Sequence, residues 1–240
     1  MKRIIIIVIA WLAMLPAMAQ QTVINDPNAV VRDVRGYHGI SVSSAIDVYL
    51  SAGNQETVAV SAADIKWRDR IRTEVKDGIL TIWLDNESWM HRQEKNRKLR
   101  VYVSFTKLDK VSGAGATNIY VDGVIESSNL DISLVGASDF KGAIKVGALK
   151  LNLSGASDAR IVGSVDGVTT VNSSGASDLK GYDLVTDTCN AHATGASDIR
   201  ITVNKELNVH ATGASGIYYK GAAVIKELHS SGASSISKKS

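Results

Sequence analysis

The sequence predicts an all-β protein: a single-stranded parallel β-solenoid with coils of about 20 residues, preceded by less regular β-strands and a hairpin. Three observations carry this. The tetrapeptide Gly-Ala-Ser-Asp opens at Gly136, Gly155, Gly175 and Gly195, with degenerate copies at Gly115, Gly213 and Gly232. Successive steps between these glycines are 21, 19, 20, 20, 18 and 19 residues, the period of a stacked coil that cannot bury its apolar face until a neighbour covers it. Around each glycine, apolar residues recur at fixed offsets with the two-residue alternation of a strand.

Residues 1–19 read as a signal peptide. Lys2 and Arg3 precede an apolar run from Ile4 to Leu15, Pro16 breaks it, and Ala17-Met18-Ala19 is a small-x-small site placing cleavage near Ala19-Gln20. No cysteine follows the run, so the lipoprotein attachment point is missing, and no later segment is apolar and long enough to span a bilayer. The expected location is the periplasm, the outer membrane surface or the exterior. Of 27 basic residues two lie in the signal, leaving 25 against 24 acidic ones, a balance that points to neither nucleic acid nor an acidic polymer as partner. Cys189 is the only cysteine and cannot form an internal disulfide in the oxidising compartment that export implies.

The mature chain divides into an irregular β-rich part, residues 20–112, and a regular solenoid, 113–240, both parts of one continuous unit. In the first, Ile40–Val42, Ile46–Leu50 and Thr57–Val60 alternate as half-buried strands, with a turn at Gly53-Asn54. Asp77-Gly78 between Ile71–Val75 and Ile79–Leu84 signals a hairpin. A polar loop, Asn86 to Lys98, leads into the alternating strand Leu99–Phe105. The loop carries Trp89, Arg92, Lys95 and Arg97, which suit a contact surface for an anionic glycan with Trp89 as a stacking platform. The alternative is a solvated hairpin loop whose tryptophan packs back onto the sheet.

In the second part, residues two and four before each repeat glycine (Leu134 and Ile132, Leu153 and Leu151, Ser173 and Val171, Ala193 and Ala191, Ala211 and Val209, Ser230 and Leu228) face inward. Four residues after the glycine, Ile119, Phe140, Ala159, Leu179, Ile199, Ile217 and Ile236 form a second internal stack. Gly136, Gly155, Gly175, Gly195, Gly213 and Gly232 mark corners, where glycine permits a positive φ or a close backbone approach. The phase of the motif sets its alanine inward and its serine and aspartate outward, their side chains bonding main-chain groups at the bend.

Asp139, Asp158, Asp178 and Asp198 then form a column of like charges about 4.8 Å apart, which needs hydrogen bonds, solvent or cations. Calcium is the sharp form of that idea. Against it, the repeat lacks the nonapeptide of calcium-binding β-rolls, and Asn118, Gly216 and Ser235 replace the carboxylate at the ends, so corner stabilisation is the preferred reading. Three residues before the glycine, Ser133, Asn152, Asn172, His192, His210 and His229 form an outward column. Its three imidazoles suggest a transition-metal site or a pH-sensitive patch, although a straight ladder gives poor tetrahedral geometry. Ser154, Ser174, Thr194, Thr212 and Ser231 make a hydroxyl column whose repetition argues against a single catalytic triad. Cys189 falls on the inward phase, as a buried filler. Coils this short leave little length for the catalytic clefts of pectate-lyase-like β-helices, and no phosphate-binding loop, zinc-protease motif or Cys-His cluster is present.

The signal peptide, the entry Tyr37-His38-Gly39-Ile40-Ser41-Val42, the hairpin Val75–Ile82, the strand into Leu108 and the serial Gly-Ala-Ser-Asp coils together resemble the putative auto-transporter adhesin, head GIN domain family, from about Val30 to the C-terminus. The resemblance implies an exported bacterial protein with a right-handed β-helix, of a kind common in Bacteroidetes, and a role in adhesion or polysaccharide binding. It supplies no catalytic or binding residues. The expectation is a non-enzymatic cell-envelope protein, without cofactor, that binds a surface glycan or envelope protein. The alternatives are an assembly module forming homo-oligomers through a solenoid end, where Lys238 and Lys239 guard the last strand, and a carbohydrate-active enzyme.

Overall fold

The computed structural model describes residues 26–85 and 97–240. It is a β-solenoid of about six turns in which strands from distant parts of the chain join one sheet. After β1 (Val30–Arg32), the first coil is laid by β2 (Gly39–Val42) and β3 (Asp47–Ala52). The chain then leaves the stack through β4 (Thr57–Ser61), the one-turn helix α1 (Ile65–Arg68), β5 (Ile71–Lys76) and β6 (Ile79–Leu84), and re-enters it as β7 (Arg100–Phe105). β6 and β7 pair parallel with β2 and β3, forming a coil outside the first. β8 (Lys110–Gly115) and β9 (Asn118–Gly136) lie on the opposite side of the same two strands.

From β9 onward spatial order follows chain order. The long strands β10 (Asp139–Gly155), β11 (Asp158–Ser173), β12 (Asp178–Ala193) and β13 (Asp198–Ala211) each stack parallel on the one before, with register slips at bends such as Val146 to Leu149. β14 (Gly216–Lys220), β15 (Val224–Ser230) and β16 (Ser235–Lys238) complete the stack.

The two ends differ. At the N-terminal end β4 runs antiparallel on β7, β1 on β4 and β5 on β6, so the outer edges of that coil are paired. The β5–β6 turn has φ of 51° at Asp77 and 73° at Gly78, the two positive values that the Asp-Gly pair predicts. Trp67 of α1, 4% exposed, joins the core there. At the C-terminal end no strand covers β15 or β16 among the described residues. Leu228, expected inside, is 57% exposed and Ser230 is exposed with it, because an inward ladder position is buried only when a further coil lies over it.

Elsewhere the internal ladders run through the whole stack. Val101, Val48, Ile119, Phe140, Ala159, Leu179, Ile199 and Ile217 are in register and buried, as are Leu80, Ile40, Val111, Ile132, Leu151, Val171, Ala191 and Val209. Apolar burial on this continuous scale, with no disulfide, is the main driving force for the fold.

The corners reverse part of the expected orientation. Ala137, Ala156, Ala176, Ala196, Ala214 and Ala233 are exposed, whereas Ser138, Ser157, Ser177, Ser197 and Ser215 are buried. The repeat glycines adopt φ between 73° and 90°, and this left-handed residue turns the chain outward for glycine and alanine before the serine returns to the interior. A buried hydroxyl needs a partner. Ser138, Ser157, Ser197 and Ser215 donate to the carbonyls of Val135, Ser154, Thr194 and Thr212 at 2.9–3.0 Å, closing the bend from inside. The alanine amide donates across coils instead, to the glycine carbonyl of the preceding corner, as from Ala176 to Gly155 at 2.7 Å.

The corner column also starts earlier than the motif shows. Register places Ser44-Ala45-Ile46-Asp47 under Gly115-Ala116-Thr117-Asn118, and Ser44 takes the positive φ, 75°, without being glycine.

A β-carbon at Gly175 would lie 2.5 Å from the Gly155 carbonyl oxygen, on a backbone at φ 82°. Gly175→Ala is therefore expected to destabilise the protein by at least about 2 kcal/mol, from left-handed strain and loss of that close approach. Ala176→Ser, on the exposed neighbour, is expected to stay within about 0.5 kcal/mol. Urea midpoints at constant slope check both.

Candidate functional site

Stacking converts single residues into columns, and chemistry concentrates in two of them. Asp47, Asn118, Asp139, Asp158, Asp178 and Asp198 are in register along one outward face. Their repulsion is offset by the chain's own side chains. Asn118 Nδ2 donates to Asp47 Oδ1 at 2.7 Å, Lys180 Nζ reaches Asp158 Oδ2 at 2.5 Å, and Arg200 contacts Asp198 at 2.6 Å and Asp178 at 3.7 Å. These partners are part-exposed, so each pair contributes at most about 1 kcal/mol. Their effect is to offset the charge of Asp158, Asp178 and Asp198 in part.

The compensating cations belong to the second column, two residues further along each strand. Its members in register are Tyr102, Tyr49, Tyr120, Lys141, Arg160, Lys180, Arg200 and Tyr218. The Tyr49 ring stacks on Tyr102 and on Tyr120, with centroids 5.3 Å apart in both pairs and interplanar angles of 22° and 23°. Tyr102 donates from its hydroxyl to Asp26 at 2.9 Å. Partial burial first, then the carboxylates of Asp47 and Asp139, raise the Tyr120 phenol above its ordinary value, so it remains a hydrogen-bond donor. At the far end the guanidinium of Arg200 and the ammonium of Lys239 lie 5.5 Å and 4.8 Å from the Tyr218 ring centroid.

A groove of about 330 Å³ opens beside this column, bounded by Tyr120, Lys141 and Arg160 over Val121, Gly142, Ala143 and Val162. Gly142 leaves no room for a side chain, since a β-carbon there would come within 2.7 Å of Val121 Cγ2 and 3.2 Å of the buried Phe140 ring. Lys141 and Arg160 have no ion-pair partner among the described residues, unlike Lys180 and Arg200 on the next two coils. A larger hollow of about 650 Å³, between Lys107 and Thr170, carries Asp109, Asp131, Lys107 and Lys150, whose charges balance.

The adjoining face carries the amide and imidazole ladder. Ser133, Asn152, Asn172, His192, His210 and His229 are in register, and Asn172 Nδ2 donates to Asn152 Oδ1 at 3.0 Å. His210 stacks on His229 at 4.6 Å and 12°, while His192 and His210 are 5.8 Å apart and tilted by 38°. Rings stacked in this way aim their nitrogens side by side, and among the described residues no group of three or more His, Cys, Asp or Glu is arranged to hold a metal ion. The hydroxyls of Ser154 and Ser174 donate to the carbonyls of Leu134 and Leu153, so they serve the ladder.

Of the polar-loop candidates, Trp89, Arg92 and Lys95 lie outside the described residues. Arg97 places its guanidinium 5.0 Å from the Trp67 ring centroid, with Arg70 at 5.2 Å, at the N-terminal cap. Cys189 is in register between Thr169 and Leu207 in the interior, and burial pushes its thiol up to about 12. The tyrosine–cation column is the feature that motif reading missed. Its signal was the residue five places after each repeat glycine.

Comparison with known proteins agrees with this architecture. The family model described as "Putative auto-transporter adhesin, head GIN domain" matches residues 36–223. No curated protein matches the chain. Among solved structures, a putative adhesin from Bacteroides fragilis is similar with a TM-score of 0.78 and 18% identity, over 89% of this chain and 98% of its own. A putative adhesin from Parabacteroides distasonis gives 0.63 and 16%, over 87% and 96%. A putative lipid binding protein from the same species gives 0.63 and 18%, over 90% and 98%. At these identities the likeness carries the fold.

The burial of Cys189 has a direct readout. A thiol reagent at pH 8 is expected to label none of the folded protein within minutes and one thiol per chain in denaturant. Rapid labelling of the folded form would place the sulfur at the surface.

Proposed function

The chain belongs to the putative auto-transporter adhesin, head GIN domain family, and from that premise we propose that it is an exported attachment protein that binds a repeating polymer, a cell-surface polysaccharide, along its outward columns. The observation that carries the reading is the run Tyr102–Tyr49–Tyr120–Lys141–Arg160, which sets aromatic rings and cations in one line across five successive coils. A ligand with its own repeat can engage several coils at once, and a rigid, pre-formed column loses little entropy when it does. Trp89, Arg92 and Lys95, outside the described residues, stay in the proposal as glycan contacts read from the sequence alone.

A polymer on the outside suits this chain better than a lipid within it. One structural neighbour is described as a lipid binding protein, but an acyl chain needs an enclosed apolar slot. Here the interior ladder positions are closed by side chains that are almost wholly buried, from Ile, Leu, Val and Phe to the small Ala159 and Ala191.

The test is retention of the mature chain on immobilised surface polysaccharides, with competition by soluble fragments of graded length. A fragment spanning several coils is expected to compete at least about tenfold better than its monosaccharide, because successive units bind as one multivalent ligand. Retention that is absent on every polysaccharide, or competition independent of length, contradicts the reading.

A further inference from the structure

We propose that the groove beside Tyr120 seats one acidic sugar residue of an extended glycan, its ring against Tyr120 and the apolar floor and its carboxylate between Lys141 and Arg160. The proposal rests on the polysaccharide reading above and adds to it a location and a charge.

Four features converge on that chemistry. Tyr120 uses one ring face to stack on Tyr49, and because Lys141 is the next residue in register, its other face borders the groove. Tyr120 is 37% exposed as a residue, which leaves it accessible to the carbon-bound hydrogens of a pyranose. Val121, Gly142, Ala143 and Val162 give an apolar floor, and the volume of about 330 Å³ lies at the small end of ligand pockets, suited to a single ring of a chain that continues along the surface. Lys141 and Arg160 supply two cations without carboxylate partners among the described residues.

Charge spacing separates an acidic glycan from other anions that stack. Asp139 lies two residues before Lys141 on the same outward face, so strand order sets Lys141 between that carboxylate and the groove. Further along, Asp158, Asp178 and Asp198 flank the column, with Lys180 and Arg200 held to them. A strand of nucleic acid, with a phosphate at every unit, would meet these carboxylates repeatedly, and its binding requires a continuous basic track. An acidic glycan is held at one ring, its carboxylate at Lys141 and Arg160, and asks for no basic track along the other coils.

The experiment titrates the full mature chain with tetragalacturonate, with a neutral tetrasaccharide of glucose and with a short oligothymidylate, following tyrosine fluorescence and heat. Tetragalacturonate is expected to bind at least tenfold more tightly than the neutral sugar, and the oligonucleotide no better than the neutral sugar. Arg160→Gln, at an exposed position, should weaken tetragalacturonate at least fivefold without moving the unfolding midpoint. Tyr120→Ala should weaken it at least tenfold, and Lys180→Gln should change it less than twofold. Equal affinity for charged and neutral sugars, tighter binding of the oligonucleotide, or wild-type affinity in Arg160→Gln would each overturn the proposal. If the polysaccharides of the previous section are retained while tetragalacturonate binds no better than the neutral sugar, the acidic-sugar seat fails alone; if none is retained, the polysaccharide reading fails as well.

Discussion

One hydrogen bond, repeated coil by coil, sets the geometry of this molecule: the amide of the alanine after each repeat glycine donates to the glycine carbonyl one coil earlier. It recurs at Ala137, Ala156, Ala176, Ala196, Ala214 and Ala233 with lengths of 2.6–2.8 Å. A single such bond contributes about 1 kcal/mol net, too little to hold a corner. Its importance is geometric. From Gly136 to Gly232 it goes with a glycine at positive φ and a carbonyl so close that a side chain is excluded, and it fixes each of these corners directly over the last. Once the corners are aligned, the offsets nearest the glycine become straight columns, and the differences in coil length are taken up by register slips at the bends between corners, such as Val146 to Leu149.

That alignment explains why like charges and aromatic rings stand where they do. The aspartates are forced into a column by the repeat, and the cations two residues on are the nearest groups able to answer them. Where they do, at Lys180 and Arg200, the surface is locally neutral. Lys141 and Arg160, with no ion-pair partner among the described residues, stand beside the tyrosine stack. Rigid coils hold that contrast in place along the face, which is what an extended ligand requires and a flexible loop does not provide.

The coil period, both internal ladders, the β5–β6 hairpin and the burial of Cys189 were legible in the sequence, because each follows from a fixed offset or a turn signal. The corner orientation was not. Two-residue alternation was extended through a residue in the left-handed region, where it does not hold, and so alanine and serine exchanged places. Ser44-Ala45-Ile46-Asp47 escaped notice because a serine takes the glycine's conformation there. The tyrosine–cation column needed two things that motif reading lacks: attention to a position whose identity changes from coil to coil, and the spatial order that puts β7 beside β3 out of chain order. The exposure of the last coil arises because no strand among the described residues lies above β15 and β16, which no pattern within the coil records.

The central claim is that alignment of the corners creates a binding face on one column of the solenoid. Residue-resolved amide spectra of the mature chain, recorded as a surface polysaccharide is added, test it most directly. The account predicts shifts concentrated in the stretches 119–124, 141–144 and 160–163, together with Tyr49 and Tyr102. Shifts concentrated instead on the His192–His210–His229 face or on the last coil, with the Tyr120 groove unmoved, would contradict it.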